Sequence, residues 1–248
     1  MNQQWQHKTA VITGAASGLG KALTQQLLLF GVKVAALDIN KDILNPSFFG
    51  SHEQVFPYVV DLVDETAVKQ AFEDFYQNVS RIDILVNCAG ITGVTNIKSH
   101  EVALADFNRV MAINVVGTFN SFKAVVPHML RNNYGRVLHV ASIAGKDGNA
   151  GMLAYSTSKA AVIGMTKVQG KEYAETGIRI NAIAPAVIQT EMLDGMPQSQ
   201  ISYMTDKIPM KRCGTLEEFV NAACFIISDD NSFSTGFTFD LSGGRALY

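Results

Sequence analysis

The chain has 248 residues and a formal net charge of -2; it is 48% hydrophobic and 17% charged, enough for one large core and too evenly charged for nucleic acid or an anionic membrane surface to be the main partner. Cys88, Cys213 and Cys224 are odd in number and scattered, which predicts reduced thiols in the cytoplasm rather than a disulfide frame. The opening MNQQWQHKTAVITG lacks the order of a signal peptide, and no apolar stretch approaches ~18 residues without a polar break, so no membrane span is expected.

The first β-rich run, TAVITG (9–14), leads through a glycine turn into an amphipathic segment near 18–30. VKVAALD (32–38) and QVFPYVVD (54–61) follow, then a helical pattern at 64–78 and the run DILVNCAG (83–90). A long helical stretch covers 101–131, GRVLHVAS (135–142) is the next strand, and a helix is expected over 152–175. IRINAIAP (178–185), a helix at 215–228 and GFTFDLSG (236–243) complete the series. The runs are mostly unbroken by polar residues, as in strands covered on both faces. Strand–helix alternation throughout predicts a doubly wound α/β sheet. The segment 190–214, TEMLDGMPQSQISYMTDKIPMKRCG, breaks the rhythm, and a long Met-rich excursion of this kind reads as a lid over a binding site.

The turn TGAASGLG is placed to hold a phosphate. Gly14 permits the tight bend, Gly18 lets backbone approach a pyrophosphate, and Gly20 lets helix and strand pack closely. With Ser17 and Leu19 it opens a helix whose first N–H groups and positive dipole end face the ligand. Asp38 closes the second strand eighteen residues after Gly20, where a carboxylate accepts hydrogen bonds from both adenosine ribose hydroxyls and repels a 2′-phosphate. The turn contains no Arg or Lys, and the position before Gly18 is Ser17, so NAD is expected in preference to NADP.

AYSTSKAAVIGMTKV (154–168) sets Tyr155 and Lys159 on one face of a helix, four residues apart. A lysine beside a phenol favours the phenolate and lowers a pKa that is ~10 when unperturbed, which suits a general acid or base. Ser142 ends a strand thirteen residues before Tyr155, and Asn114 lies in the helical AINVVGTF. Together TGAASGLG, Asp61 in VVDL, NCAG (87–90), Asn114, Ser142, YSTSK (155–159) and PAVIQT (185–190) resemble the short-chain dehydrogenase/reductase family, in family order and across nearly the whole chain.

The resemblance implies a single Rossmann-like catalytic domain over 1–248 with a parallel sheet of about seven strands, helices on both faces, and assembly as a homotetramer through the long helices. It makes Tyr155 the acid/base, Lys159 the residue that lowers its pKa and binds the nicotinamide ribose, Ser142 the group that orients the substrate oxygen, and Asn114 the holder of a water in a proton relay. Asp61 and Leu62 would meet the adenine; Asn87, Ala89 and Gly90 the adenosine ribose side; and Pro185, Ile188 and Thr190 the nicotinamide and its phosphate. Two positions depart from the family pattern: Asn-Cys-Ala-Gly replaces Asn-Asn-Ala-Gly, and Pro185-Ala186 replaces Pro-Gly.

A small-molecule substrate is expected, and a small polar secondary alcohol such as a sugar acid is preferred. The alternatives are a 3-oxoacyl-carrier-protein reductase and a dinucleotide-binding scaffold without catalysis. Lys146, Arg212 and Arg245 are the cations that could pair with a substrate carboxylate, and each reads first as a solvated surface charge. The five histidines show no metal-ligand spacing, and His139, inside an apolar strand, reads as a packed core residue; no metal site is expected.

Overall fold

A computed structural model describes residues 3–50, 53–190 and 204–246. Seven parallel strands form one sheet in the order β3-β2-β1-β4-β5-β6-β7. They are β1 (Thr9–Thr13), β2 (Lys33–Asp38), β3 (Val55–Val59), β4 (Ile84–Asn87), β5 (Gly135–Val140), β6 (Ile178–Pro185) and β7 (Thr238–Leu241). Each lies within a run expected from the sequence. The inner strands are buried almost end to end, whereas β3, an edge strand that tolerates Pro57, is half-buried.

Side chains alternate between the two faces. Ala10 and Ile12 of β1 join Leu23, Leu27, Phe219 and Ile226, from helices α1 (Gly18–Leu29) and α7 (Leu216–Ile227). Val11 joins Phe72, Phe75, Phe122 and Val125 on the other face, from α2 (Glu65–Val79) and α4 (Gly117–Asn132). Further helices are α3 (Leu104–Met111), α5 (Ile143–Asp147) and α6 (Leu153–Glu172). Caps fix several ends: the Asp64 carboxylate accepts the Thr66 and Ala67 N–H groups, and Thr215 and Glu218 form a reciprocal capping box.

Two findings refine the sequence reading. The long helix 101–131 begins at Leu104 and contains a wide π turn at Ala112–Val116 that joins α3 to α4. By length and composition alone, Leu104–Asn132 is also the one helix among the described residues long and apolar enough to cross a membrane. Half of its most apolar window is buried in the fold, where it carries Asn114, Thr118, Asn120 and Ser121, as a core helix does.

Polar clamps close the amino ends of the strands. Asp83 takes the Thr9 N–H at 2.9 Å and the Arg81 Nε–H at 2.8 Å. Asp229 takes Tyr134 Oη at 2.6 Å and pairs with Lys8 at 3.2 Å, while Arg136 donates to the Ser228 carbonyl.

Candidate active site

The sheet order reverses direction between β1 and β4, and a crevice for a ligand is expected at the carboxyl ends of the strands there. The sequence-predicted residues gather along that edge. Gly14 follows β1 with φ +67°, and a Cβ there would sit 2.7 Å from the Ala89 nitrogen, so the turn has room only for glycine. A Cβ on Gly20 would drive into the Gly14 carbonyl. Helix α1 starts after Ser17, whose side chain makes no cap to the first N–H groups. Across the turn, Thr190 Cγ2 lies 3.8 Å from the Cβ position of Gly18. An uncapped helix start behind a glycine cradle fits the pyrophosphate of a dinucleotide.

Asp38 ends β2, half-buried under this turn. Its Oδ2 accepts the Ala16 N–H at 2.9 Å and its Oδ1 the Asn40 N–H at 3.0 Å. The carboxylate therefore holds the glycine turn in addition to closing the strand. Asp61 is exposed and accepts the Val63 N–H at 3.0 Å, while the Leu62 carbonyl is fixed by Asn120 Nδ2 at 2.9 Å.

Asn87 ends β4 at the expected crevice. Its side chain points into the core, where Nδ2 meets His139 Nδ1 at 3.1 Å and Oδ1 accepts Thr13 Oγ1 at 3.4 Å. His139, fully buried, holds Gln169 Oε1 at 2.9 Å through Nε2. With a donor on one ring nitrogen and an acceptor on the other, the imidazole is neutral and protonated at Nε2; burial pushes its pKa down to about 4. The side chain of Asn87 thus links strands, which leaves backbone groups for the ribose side of the crevice.

Ser142 ends the β5 run and caps α5, accepting the Ala144 N–H at 3.1 Å. Gly145 lets α5 lie directly on α6: a Cβ there would fall 2.6 Å from the Lys159 carbonyl carbon. On α6, the Lys159 ammonium is buried, donates to the Val140 carbonyl at 2.7 Å, and stands 5.7 Å from the Tyr155 ring centre. Burial pushes its pKa down to about 8, opposed by the nearby Cys88 thiol.

Burial works against the lowering of the Tyr155 pKa that Lys159 is expected to produce. Enclosure of the hydroxyl raises the pKa of Tyr155, and its hydrogen bond to Ser142 only partly opposes the rise. The ammonium is directed at a main-chain carbonyl instead of the phenol. Burial likewise pushes the Cys88 thiol up to about 12, with the Lys159 charge opposing the rise.

Asn114 sits in the π turn beside Lys159; a Cβ on Gly90 would be 3.1 Å from Asn114 Oδ1 and 3.3 Å from Lys159 Nζ. Both amide hydrogens are engaged, with the Ile91 carbonyl and with Ser158 Oγ, each at 2.9 Å, and Oδ1 accepts the Ile91 N–H at 2.8 Å. Oδ1 and the main-chain carbonyl, which accepts Thr118 Oγ1 at 2.8 Å, each keep a second lone pair that a water can use. Ser158, which sequence reasoning passed over, carries the link on to the Tyr155 carbonyl at 2.7 Å. A hydroxyl directly before the lysine on a buried helix face was its available signal.

Pro185 ends β6, and Ile188 forms a bridge with Gly214, so the excursion 190–214 leaves and returns at one point. Residues 191–203 of the expected lid lie outside the described residues. Ala186 is not among the residues with positive φ, so replacing the family's glycine carries no backbone strain. Of the three candidate cations, Lys146 and Arg245 are enclosed and paired, whereas Arg212 is a surface charge as expected, held in an exposed ion pair. Lys146 pairs with Asp240 at 3.1 Å, Arg212 grips Glu218 at 2.6 and 2.9 Å, and Arg245 donates to Asn149 at 2.6 Å.

Residues 8–201 match the family described as short chain dehydrogenase. A 2-dehydro-3-deoxy-L-rhamnonate dehydrogenase (NAD(+)) of Sphingomonas sp. (strain SKA58) is 43% identical over 97% of this chain and 96% of its own length. A 3-oxoacyl-(acyl-carrier-protein) reductase of Thermotoga maritima is 39% identical over 97% and 98%. Among solved structures, an NAD+-bound xylitol dehydrogenase superposes with a TM-score of 0.91 at 31% identity, over 98% of this chain and all of that one.

Proposed function

The chain belongs to the short-chain dehydrogenase family and is an oxidoreductase of CH–OH groups, and from that premise we propose that it uses NAD to interconvert a secondary alcohol and a ketone on a small polar compound of the sugar-acid class. The observation that carries this reading is the meeting of Ser142, Tyr155 and Lys159 behind the glycine turn, with the Asp38 carboxylate bonded to that same turn, where a negative charge would disfavour a 2′-phosphate. The relative named for an NAD-linked sugar-acid oxidation supports the substrate class.

NAD, when bound, supplies the acceptor for the hydride. Gly14, Ser17, Gly18, Leu19 and Gly20 hold its pyrophosphate, Asp38 its adenosine ribose, and Asp61 and Leu62 its adenine. Ala89 and Gly90 border the ribose side through their backbone, Lys159 binds the nicotinamide ribose, and Pro185, Ile188 and Thr190 border the nicotinamide. Ser142 orients the substrate oxygen by hydrogen bond. Tyr155 gives the proton to that oxygen in reduction and takes it in oxidation. A phenol raised by burial is poised in its protonated, donating form, so oxidation demands the higher pH. Asn114 and Ser158 hold the first turns of α6 against the Ile91 loop and keep Tyr155 and Lys159 in register.

The chain works as one catalytic unit in the cytoplasm, with its cysteines as thiols. It assembles as a homotetramer, a reading supported by two exposed apolar faces: Val116 and Phe119 on the long helices, and Phe225, Phe233 and Phe237 beside β7. Light scattering of the purified protein checks the assembly.

The test of function is an oxidation screen with NAD against sugar acids, polyols and 3-hydroxyacyl thioesters, followed by absorbance of NADH. Turnover of a sugar acid or polyol is expected. Turnover of the thioesters alone would establish the acyl reductase instead, and NADH binding without turnover of any compound would point to a silent scaffold.

A further inference from the structure

Between Ser142 and Tyr155 runs a loop whose shape is not dictated by its own sequence. Gly148 and Gly151, with φ of +71° and +79°, bracket Asn149, and glycines in this region carry little conformational preference. Such a stretch keeps one geometry only through contacts. Its main chain is tied to the start of α6, since the Asn149 N–H donates to Ser156 Oγ at 3.1 Å, and to the opposite loop, since the Asn96 N–H donates to the Gly151 carbonyl at 2.9 Å. Its side chains are held from elsewhere.

The holder is the C-terminal turn. α5 presents Lys146 and Asp147, and the end of the chain presents Asp240 and Arg245, in crossed pairs. Lys146, with a side chain 5% exposed, meets Asp240 at 3.1 Å, and Arg245, 11% exposed, lies 3.4 Å from the Asp147 carboxylate. Arg245 Nη2 also donates to Asn149 Oδ1 at 2.6 Å. The turn is itself anchored: the Asp240 carboxylate accepts the Ser242 N–H at 3.0 Å, Ser242 Oγ accepts the Ala246 N–H at 3.0 Å, and the Gly243 carbonyl accepts the Met210 N–H at 3.2 Å. Gly243 has φ +62°, and a Cβ there would sit 2.7 Å from Ile208 Cγ2. The same turn therefore touches the serine–tyrosine loop on one side and the return of the 190–214 excursion on the other.

We propose that Arg245 is a positioning residue: by clasping Asp147 and Asn149 to the C-terminal turn it fixes the loop between Ser142 and Tyr155, and so sets how tightly substrate is held without entering the chemistry. The proposal rests on the dehydrogenase reading for its kinetic readout, and on the loop alone for its structural one. Arg245→Met keeps the aliphatic stem and removes the donors. Hydrogen exchange of the free protein should quicken over 143–152 and stay unchanged over β5. KM for the alcohol should rise about tenfold, the size of one lost charge-assisted hydrogen bond, with kcat within about twofold and the Kd of NADH unaltered. Arg245→Lys should recover part of the KM, because charge without the planar fork serves one partner and not two.

A merely structural role would lower thermal stability and the active fraction while leaving KM where it was, and that outcome overturns the proposal. So does an unchanged exchange rate over 143–152. If Arg245→Met does not fold, Asn149→Ala on the loop side must show the same split between KM and kcat. If the wild-type protein oxidises nothing in the screen, the dehydrogenase reading fails by itself, and the exchange experiment still decides the clasp.

Discussion

Asp38→Asn and Asp38→Ala are expected to part company, because the carboxylate has two tasks. Its Oδ2 holds the Ala16 N–H of the glycine turn at 2.9 Å, and in the proposed site the same group would accept from the adenosine ribose. Alanine removes the acceptor and leaves that N–H unsatisfied, at a cost of about 1–3 kcal/mol, or roughly 5- to 150-fold in dinucleotide affinity. The loss falls on NAD and NADP alike. Asparagine keeps one acceptor oxygen and discards the charge. A phosphate ~4 Å from a carboxylate meets about 4 kcal/mol of repulsion per unit charge at an effective dielectric of 20, and screening at a half-buried site reduces this to roughly 1–2 kcal/mol. Asp38→Asn should therefore gain about tenfold in kcat/KM for NADP and lose about tenfold for NAD, whose ribose has lost a charged acceptor. Asp38→Ala should lose more with NAD and gain little with NADP. Initial rates with both cofactors, and their dissociation constants by nucleotide fluorescence, measure the four quantities. An alanine variant that gains NADP activity as fully as the asparagine variant would show that Asp38 does not support the turn. An unchanged preference in both variants would show that it does not face the ribose.

Three further outcomes follow from the site. Tyr155→Phe should cut kcat by at least about 100-fold and leave NADH binding intact, whereas Lys159→Met should weaken NADH binding as well. In the wild type that binding should fall as pH rises through about 8, where buried Lys159 loses its proton, and the dependence should vanish in Lys159→Met; equal titration curves for the two proteins would refute the assignment. Gly145→Ala forces a methyl to within 2.6 Å of the α6 backbone at Lys159, so about 1–3 kcal/mol of stability should be lost in urea unfolding and kcat should fall with it; a neutral substitution would mean α5 and α6 are free to separate. His139 stays neutral in the fold down to about 4, while its unfolded-state value is near 6.5. The unfolded state therefore binds the extra proton, and stability should drop as pH falls between those values, by on the order of 3 kcal/mol. Comparing urea unfolding of wild type and His139→Asn across that window cancels the other titrating groups, and parallel curves would exclude His139 as the cause.

Much of this was legible in the sequence because the chemistry is local in the chain. Seven apolar runs separated by helical patterns fix a parallel sheet, and the glycine turn, Asp38 and the Tyr155–Lys159 pair each announce themselves within a few residues. What stayed hidden depends on partners distant in sequence. Nothing near Asn87 reveals that its amide will turn inward to His139, 52 residues on, nor that Arg245 will reach back 96 residues to Asn149. The raised pKa of Tyr155 was hidden for a related reason. The spacing of Tyr155 and Lys159 sets their distance, but only the fold decides that the ammonium is directed at the Val140 carbonyl. The π turn at Ala112–Val116 left no mark in the apolar periodicity, since one extra residue in a helix of this length shifts the stripe by about a quarter turn.

The clamps at the amino ends of the strands stand apart from all of this. The Asp83 and Asp229 clusters lie a strand's length from the catalytic edge, roughly 15–20 Å for runs of five or six residues. Substitutions that far apart with no shared partner add independently. The molecule can therefore be tuned in robustness at one rim and in selectivity at the other, by natural drift or in the laboratory, without either change taxing the other. Library designs aimed at new alcohols are best begun from a parent reinforced around Lys8, Tyr134 and Asp229, whose surplus stability absorbs the losses that new substrate loops bring.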